Sequence, residues 1–325
     1  MKIRQRLTYL FESILKGNPL AYADASELSS LSGADLWDLF AITGRIREHF
    51  HGNKVDLCSI VNAKSGACGE DCAYCAQSMH HATDVSIYPL ISVDRMIEAA
   101  KSARKNNAKR FCIVTSGRGI DTRTDIESIA QGIQKVLAMG LSPCATLGTL
   151  TKDQLSYLKR AGLHRFHHNI ETSKEYFPRV CTTHTFEERL EVLGHARSLG
   201  LSTCSGGILG MGESMDDRIK MAMTLREIDV DSVPINFLMP IKGTPFEKIS
   251  AIPPLEALHS IALFRLILPN KEIRVCGGRG TALGQLHPLI FAAGADGFMI
   301  GNYLTTAGLD PAADLNMLQR LDLTI

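Results

Sequence analysis

The run Gly66-Ala67-Cys68-Gly69-Glu70-Asp71-Cys72-Ala73-Tyr74-Cys75 sets three thiols at a C-x3-C-x2-C spacing. Three closely spaced thiolates can hold three corners of a cubane iron-sulfur cluster, leaving the fourth iron open to a substrate or cofactor. A structural zinc site wants a fourth nearby cysteine or histidine, and His80 and His81 stand just downstream as candidates for that ligand.

The remaining thiols are informative by position. Cys58, Cys112, Cys144, Cys204 and Cys276 each fall in a separate strand-like run. Side chains alternate along a strand, so each has about an even chance of facing an interior. A buried thiol is an ordinary core residue when taken singly. Five on five strands favour a second metal site. Cys181, among Thr182, Thr183 and His184 in a helix-entry loop, reads as a bystander.

Polar groups gather where strands end. His167, Asn169 and Glu171 share one face by alternation, while His167 and His168 point apart and make no zinc pair. Asn236 lies in an apolar strand and must find a partner, ligand or backbone. Gly206, Gly207 and Ile208 open a glycine-rich run that either lets a bound molecule approach the backbone or simply turns. Thr305 and Thr306 follow the last strand-like run, where capping a helix is the reading their residue type offers.

These residues need elements to hold them. Residues 1–50 read as helical, with Asp24 or Ser26 and then Ser32 or Asp35 as caps, and with Trp37 packing this layer against the body. Strand-like runs follow at 55–61, 110–115, 142–147, 165–170, 202–208, 232–238, 273–276 and 298–300. Helix-periodic runs separate them at 93–103, 125–137, 152–158, 186–199, 216–227 and 255–268. Eight strands alternating with helices predict an α/β fold, a closed (β/α)8 TIM-type barrel at 51–325 with an N-terminal helical extension at 1–50. Chemistry in such barrels gathers at the carboxyl ends of strands, and the three-thiol loop falls directly after the first.

The chain has 325 residues, 45% hydrophobic and 21% charged, with a formal net charge of +1. That balance gives no reason to expect nucleic acid or a membrane surface as partner. The basic segment 1–17 lacks the apolar core of a secretory signal, and no run approaches a membrane span, which predicts a cytoplasmic protein. In that setting the nine cysteines are metal ligands, reactive groups or buried thiols rather than disulfides.

The three-cysteine spacing, with an aromatic before the last thiol, resembles the signature of the radical S-adenosylmethionine (SAM) enzymes. The wider run through Cys75-Ala76-Gln77-Ser78 is most similar to the biotin synthase family among them. That resemblance implies a 4Fe-4S cluster on Cys68, Cys72 and Cys75, with SAM near Tyr74, Glu171, Gly206, Gly207 and Ile208. It implies dethiobiotin held by Asn169, Asn236, Thr305 and Thr306. It also implies an auxiliary cluster, 2Fe-2S or four-iron, on Cys112, Cys144 and Cys204, with Arg274 aligning with an arginine ligand.

Cys276 and Cys58 stand where the better-known members have serine. Thiolate is the softer iron ligand, so Cys276, with Cys58 as the lesser candidate, is expected to alter the ligation. The family departs from this chain at His167 and Glu171, where asparagine and aspartate are usual. A flavodoxin- or ferredoxin-type reductant and a homodimer are further implications. Two rivals remain open: a related radical SAM barrel acting on another small molecule, and a non-catalytic iron-sulfur or zinc protein.

Overall fold

The structure, a computed structural model, describes residues 3–325. Three helices come first: α1 (Ile3–Leu15), α2 (Tyr22–Leu28) and α3 (Gly33–His51). The expected first helix therefore forms, its opening two residues lying outside the described ones. The capping expectations fare less well. Ala21 precedes α2, Asp24 sits inside it paired with Arg6, and Ser32 precedes α3 without a side-chain cap bond. Trp37 does not pack the layer against the body. The buried face of α3 is set by Leu36, Leu39, Phe40, Thr43 and Ile46, and Trp37 falls off that face, half exposed and edge-on to Phe40.

Nine strands follow: β1 (Asp56–Lys64), β2 (Arg110–Thr115), β3 (Ser142–Thr146), β4 (Arg165–His167), β5 (Ser202–Cys204), β6 (Gly207–Leu209), β7 (Ser232–Phe237), β8 (Glu272–Val275) and β9 (Gly297–Met299). All pair in parallel in the order β5-β4-β3-β2-β1-β9-β8-β7-β6, and a Cys204–Ser232 pairing between β5 and β7 closes the ring. The expected fifth strand is split. Ser205 and Gly206 interrupt it, and β5 and β6 share one barrel position; here the chain runs so close to β7 that a Cβ on Gly206 would lie 2.0 Å from the Pro234 carbonyl. The barrel is an eight-position (β/α)8 ring, as the alternation predicted.

The intervening helices are α4 (Val93–Lys105), α5 (Arg123–Ala138), α6 (Lys152–Arg160), α7 (Phe186–Ser198), α8 (Met215–Glu227) and α9 (Pro254–Ile267). Local chemistry starts them: Thr151 with Gln154, Thr185 with Glu188 and Ser214 with Asp217 form reciprocal capping boxes. Helix α9 is buried on every side from Ala257 to Ile267, as expected of a helix apolar all round. Helices α2, α3 and α8 pack against it. Two late elements went unread in the sequence, α10 (Arg279–Leu283) and α11 (Pro311–Arg320).

Candidate active site

Strand β1 delivers the chain to the three-thiol loop through Gly66 and Ala67, both with positive φ (72° and 48°). The loop then folds on itself. Cys68 N donates to Gln77 O at 3.0 Å, Met79 N to Cys68 O at 2.8 Å, Cys75 N to Cys72 O at 2.9 Å, and Ser78 Oγ to Glu70 O at 2.6 Å. It is also moored to the segment ahead of α7: Ala73 N donates to Val180 O at 2.8 Å, and Asp71 accepts from Thr182 N at 2.9 Å. Although burial opposes it, these hydrogen bonds hold the Asp71 carboxyl well below its usual range. His80 and His81 turn their rings to the carbonyls of Gly69 and Cys72, at 3.0 and 3.1 Å. The candidate zinc ligands are thus spent on backbone, and the loop's own donors are three sulfurs.

One cavity of about 400 Å³ joins Cys68, Cys72 and Cys75 to the thiols of the strands. Cys58, Cys112, Cys144, Cys204 and Cys276 all line it, as does Arg274. Register explains the convergence. Cys112 pairs across β2 and β3 with Cys144, so the two side chains share the inward face at one level, and Cys58 sits two residues below Ile60, the partner of Cys112. Burial pushes the thiols of Cys58 and Cys112 well up, that of Cys204 to about 11 and that of Cys276 to about 12. Cys144 goes the other way, lowered by a hydrogen bond from Cys112.

Arg274 occupies the centre of a buried charge network. Its Nη2 bonds both Asp56 and Glu272, and Arg165 and Arg110 reach the same two carboxylates. Against burial, Asp56 and Glu272 hold the guanidinium well above its ordinary value. A fully protonated guanidinium has no lone pair to offer iron.

Around the upper cavity, Asn169 Oδ1 accepts from Gly206 N at 3.1 Å, and Asn169 Nδ2 donates to Glu171 at 3.3 Å. Asn236 is bracketed by backbone: Nδ2 donates to Gly207 O at 3.2 Å and Oδ1 accepts from Gly277 N at 2.9 Å. Glu171 stands at φ 69°, its carboxyl raised by burial, with Arg189 Nη1 at 3.5 Å. His167 meets Thr146 Oγ1 at 2.7 Å, and burial lowers its imidazole to about 4. Tyr74, Ile208, Thr305 and Thr306 line the same space. Gly206 and Gly207 do not. Their closeness is to strands: a Cβ on Gly207 would meet the Glu171 carbonyl at 2.1 Å.

Sequence reasoning passed over Arg189, His184 and Glu70, which also line the cavity. Cys181 is a neighbour of the loop rather than a bystander. Its Sγ lies 3.1 Å from Asp71 Oδ1 and 3.2 Å from His184 Nδ1, and a hydrogen bond from Cys72 brings its thiol down to about 4. A two-thiol, one-imidazole spacing over Cys72, Cys181 and His184 was the available signal, hidden by a gap of about a hundred residues.

A three-sulfur loop at the mouth of a parallel barrel, opening onto a second thiol-lined chamber, fits an iron-sulfur radical enzyme. Residues 63–225 match the family model of the radical SAM superfamily, and residues 234–324 that of the Biotin and Thiamin Synthesis associated domain. Methylornithine synthase has the same fold (TM-score 0.84, 19% identity, 97% of this chain and 96% of that one). So does the FeFe-hydrogenase maturase HydG from Carboxydothermus hydrogenoformans (TM-score 0.79, 17% identity, 98% and 79%). The molecule is a radical SAM enzyme, and radical SAM enzymes work with a 4Fe-4S cluster and SAM. Within that class, the biotin synthase of Trichlorobacter lovleyi is 48% identical over 96% of this chain and 94% of its own. That of Pelotomaculum thermopropionicum is 46% identical over 97% and 98%. The chain belongs to the biotin synthase family.

Proposed function

We propose that the enzyme inserts sulfur into dethiobiotin to form biotin, with Cys68, Cys72 and Cys75 holding the 4Fe-4S cluster and Cys112, Cys144, Cys204 and Cys276 holding an auxiliary iron-sulfur cluster. The observation that carries this reading is that both thiol groups line one cavity. The donor sets fit the groups: three sulfurs leave one iron free for SAM, and four buried thiols converge within the strands. When bound, these groups supply hydrogen abstraction from unactivated carbon and the sulfur atom itself.

The chain's own residues bind, orient and exclude water. Glu171, steadied by Arg189, is placed to accept from the ribose hydroxyls of SAM, with Tyr74 and Ile208 alongside. Asn169 and Asn236 present amides to a ureido ring, and Thr305 and Thr306 present backbone NH groups to a carboxylate. Arg274, kept as a cation by Asp56 and Glu272, serves as counter-charge to the auxiliary thiolates and leaves the fourth ligand position to Cys276. Cys58 is the lesser alternative.

Among the described residues no helix is long and apolar enough to cross a membrane. Family kinship supports a flavodoxin- or ferredoxin-type electron donor, a homodimer and a cytoplasmic setting. The stacking of α2 and α3 on α9 supports a helical extension at 1–50 on a barrel at 51–325.

Anaerobic incubation with SAM, reductant and dethiobiotin tests the reading. Biotin and 5′-deoxyadenosine are expected together. 5′-Deoxyadenosine without biotin would assign a different substrate, and the absence of both products would count against the reading.

A further inference from the structure

The loop cysteine Cys72 belongs to a second constellation. One ligand atom from each of Cys72, Cys181 and His184 lies within 4.8 Å of the other two, with both cysteines buried. His184 Nδ1 is 3.2 Å from Cys181 Sγ, and Asp71 Oδ1 is 3.1 Å from the same sulfur. Two thiols and an imidazole are three of the four positions of a tetrahedral site for zinc and its thiophilic neighbours, with water for the fourth. Neither of the two histidines inside the loop's own neighbourhood contributes, since both face carbonyls.

We propose that Cys72, Cys181 and His184 form a mononuclear site for a zinc-class divalent cation, sharing Cys72 with the iron-sulfur loop so that the two occupancies exclude each other. Backbone geometry holds the site ready. Val180 O anchors Ala73 N, and Asp71 takes the amides of Thr182 and Thr183, which fastens the Cys72 loop to the Cys181–His184 segment. Arg189 Nε donates to His184 Nε2 at 2.9 Å. The imidazole therefore carries its proton on Nδ1, where Glu70 Oε2 accepts it at 2.5 Å and must release it when a cation binds. On binding, that proton moves to Nε2, Arg189 lets go of the ring, and both sulfurs bind as thiolates, the Cys72 proton leaving to solvent. Arg189 retains its 2.8 Å bond to Asn169 O, so it need not leave the cavity. A cation in this place takes the sulfur that a cubane on Cys68, Cys72 and Cys75 requires, and so blocks loading of that cluster.

The exclusion rests on the reading of Cys72 as a cluster ligand. The site itself does not, and its test uses no cluster. One equivalent of zinc is added anaerobically to the full chain freed of iron, and X-ray absorption at the zinc edge reads its neighbours. Two sulfurs at about 2.3 Å with imidazole outer-shell scattering are expected, and His184→Gln should abolish the imidazole signal and weaken binding at least tenfold. Three or four sulfurs without imidazole, which places the ion on the loop or on the strand thiols, overturns the proposal. The wild-type spectrum decides by itself should the variant fold poorly. Loading the 4Fe-4S cluster first should then prevent zinc uptake at this site; zinc bound there beside an intact cluster would refute the exclusion alone.

Discussion

Arg274 illustrates how one side chain's neighbours decide what it can do. Sequence similarity aligned it with an iron ligand, whereas its Nη2 is taken up by Asp56 and Glu272, which favour the charged form that has no lone pair. Cys276, two residues on and equally buried, is a thiol that lines the same cavity. Burial keeps it protonated in the absence of iron, and metal binding removes that proton because thiolate is the ligand form. Cys276→Ser should therefore change the auxiliary-cluster component of the Mössbauer spectrum of anaerobically prepared enzyme, while Cys58→Ser leaves it in place. An unaltered spectrum in Cys276→Ser would return the fourth position to another group.

The strands and helices were largely legible because their signals are local. Capping boxes mark α6, α7 and α8, and short apolar runs mark every barrel position. What escaped depends on contacts distant in sequence. At the interruption between β5 and β6, β7 passes so close that only glycine fits at 206, and no window around that position reports it. For the same reason the glycine run read as a ligand approach is, at 206 and 207, a place where strands meet. Cys181 escaped likewise, since only the fold brings it to Cys72. A methyl group tests the packing reading. Gly207→Ala would drive a Cβ into the Glu171 carbonyl, which accepts from Ile208 N at 2.9 Å. Overpacking of this kind costs about 1–3 kcal/mol. A lowered urea midpoint together with weaker SAM binding is expected, because Glu171 is displaced. Unchanged stability would show that the strands can separate to make room.

Across the molecule six imidazoles share a direction. His51 in α3, His164 and His167 at β4, His168 just after it, His259 in α9 and His287 beyond α10 are all lowered, with burial the largest cause in each. His184 is raised instead, held up against burial by Cys181 and Glu70. A lowered imidazole means that the unfolded chain binds protons first, so its stabilising contribution is complete above the unfolded value near 6.5 and is lost as pH falls toward the folded one. For His167, at about 4 but bordering the cavity, that loss is on the order of 2 kcal/mol after allowance for solvent. Glu272, drawn down to about 2 by Arg274 and Arg165 in spite of burial, stabilises above its unfolded value and fails only at still lower pH. Acid unfolding should accordingly begin before the carboxylates titrate. The urea midpoint of the iron-free full chain should be level between pH 7.5 and 6.5 and drop between 6.5 and 5. A midpoint that holds or rises over that lower interval would mean that the buried rings keep access to water and are not paying for their neutrality.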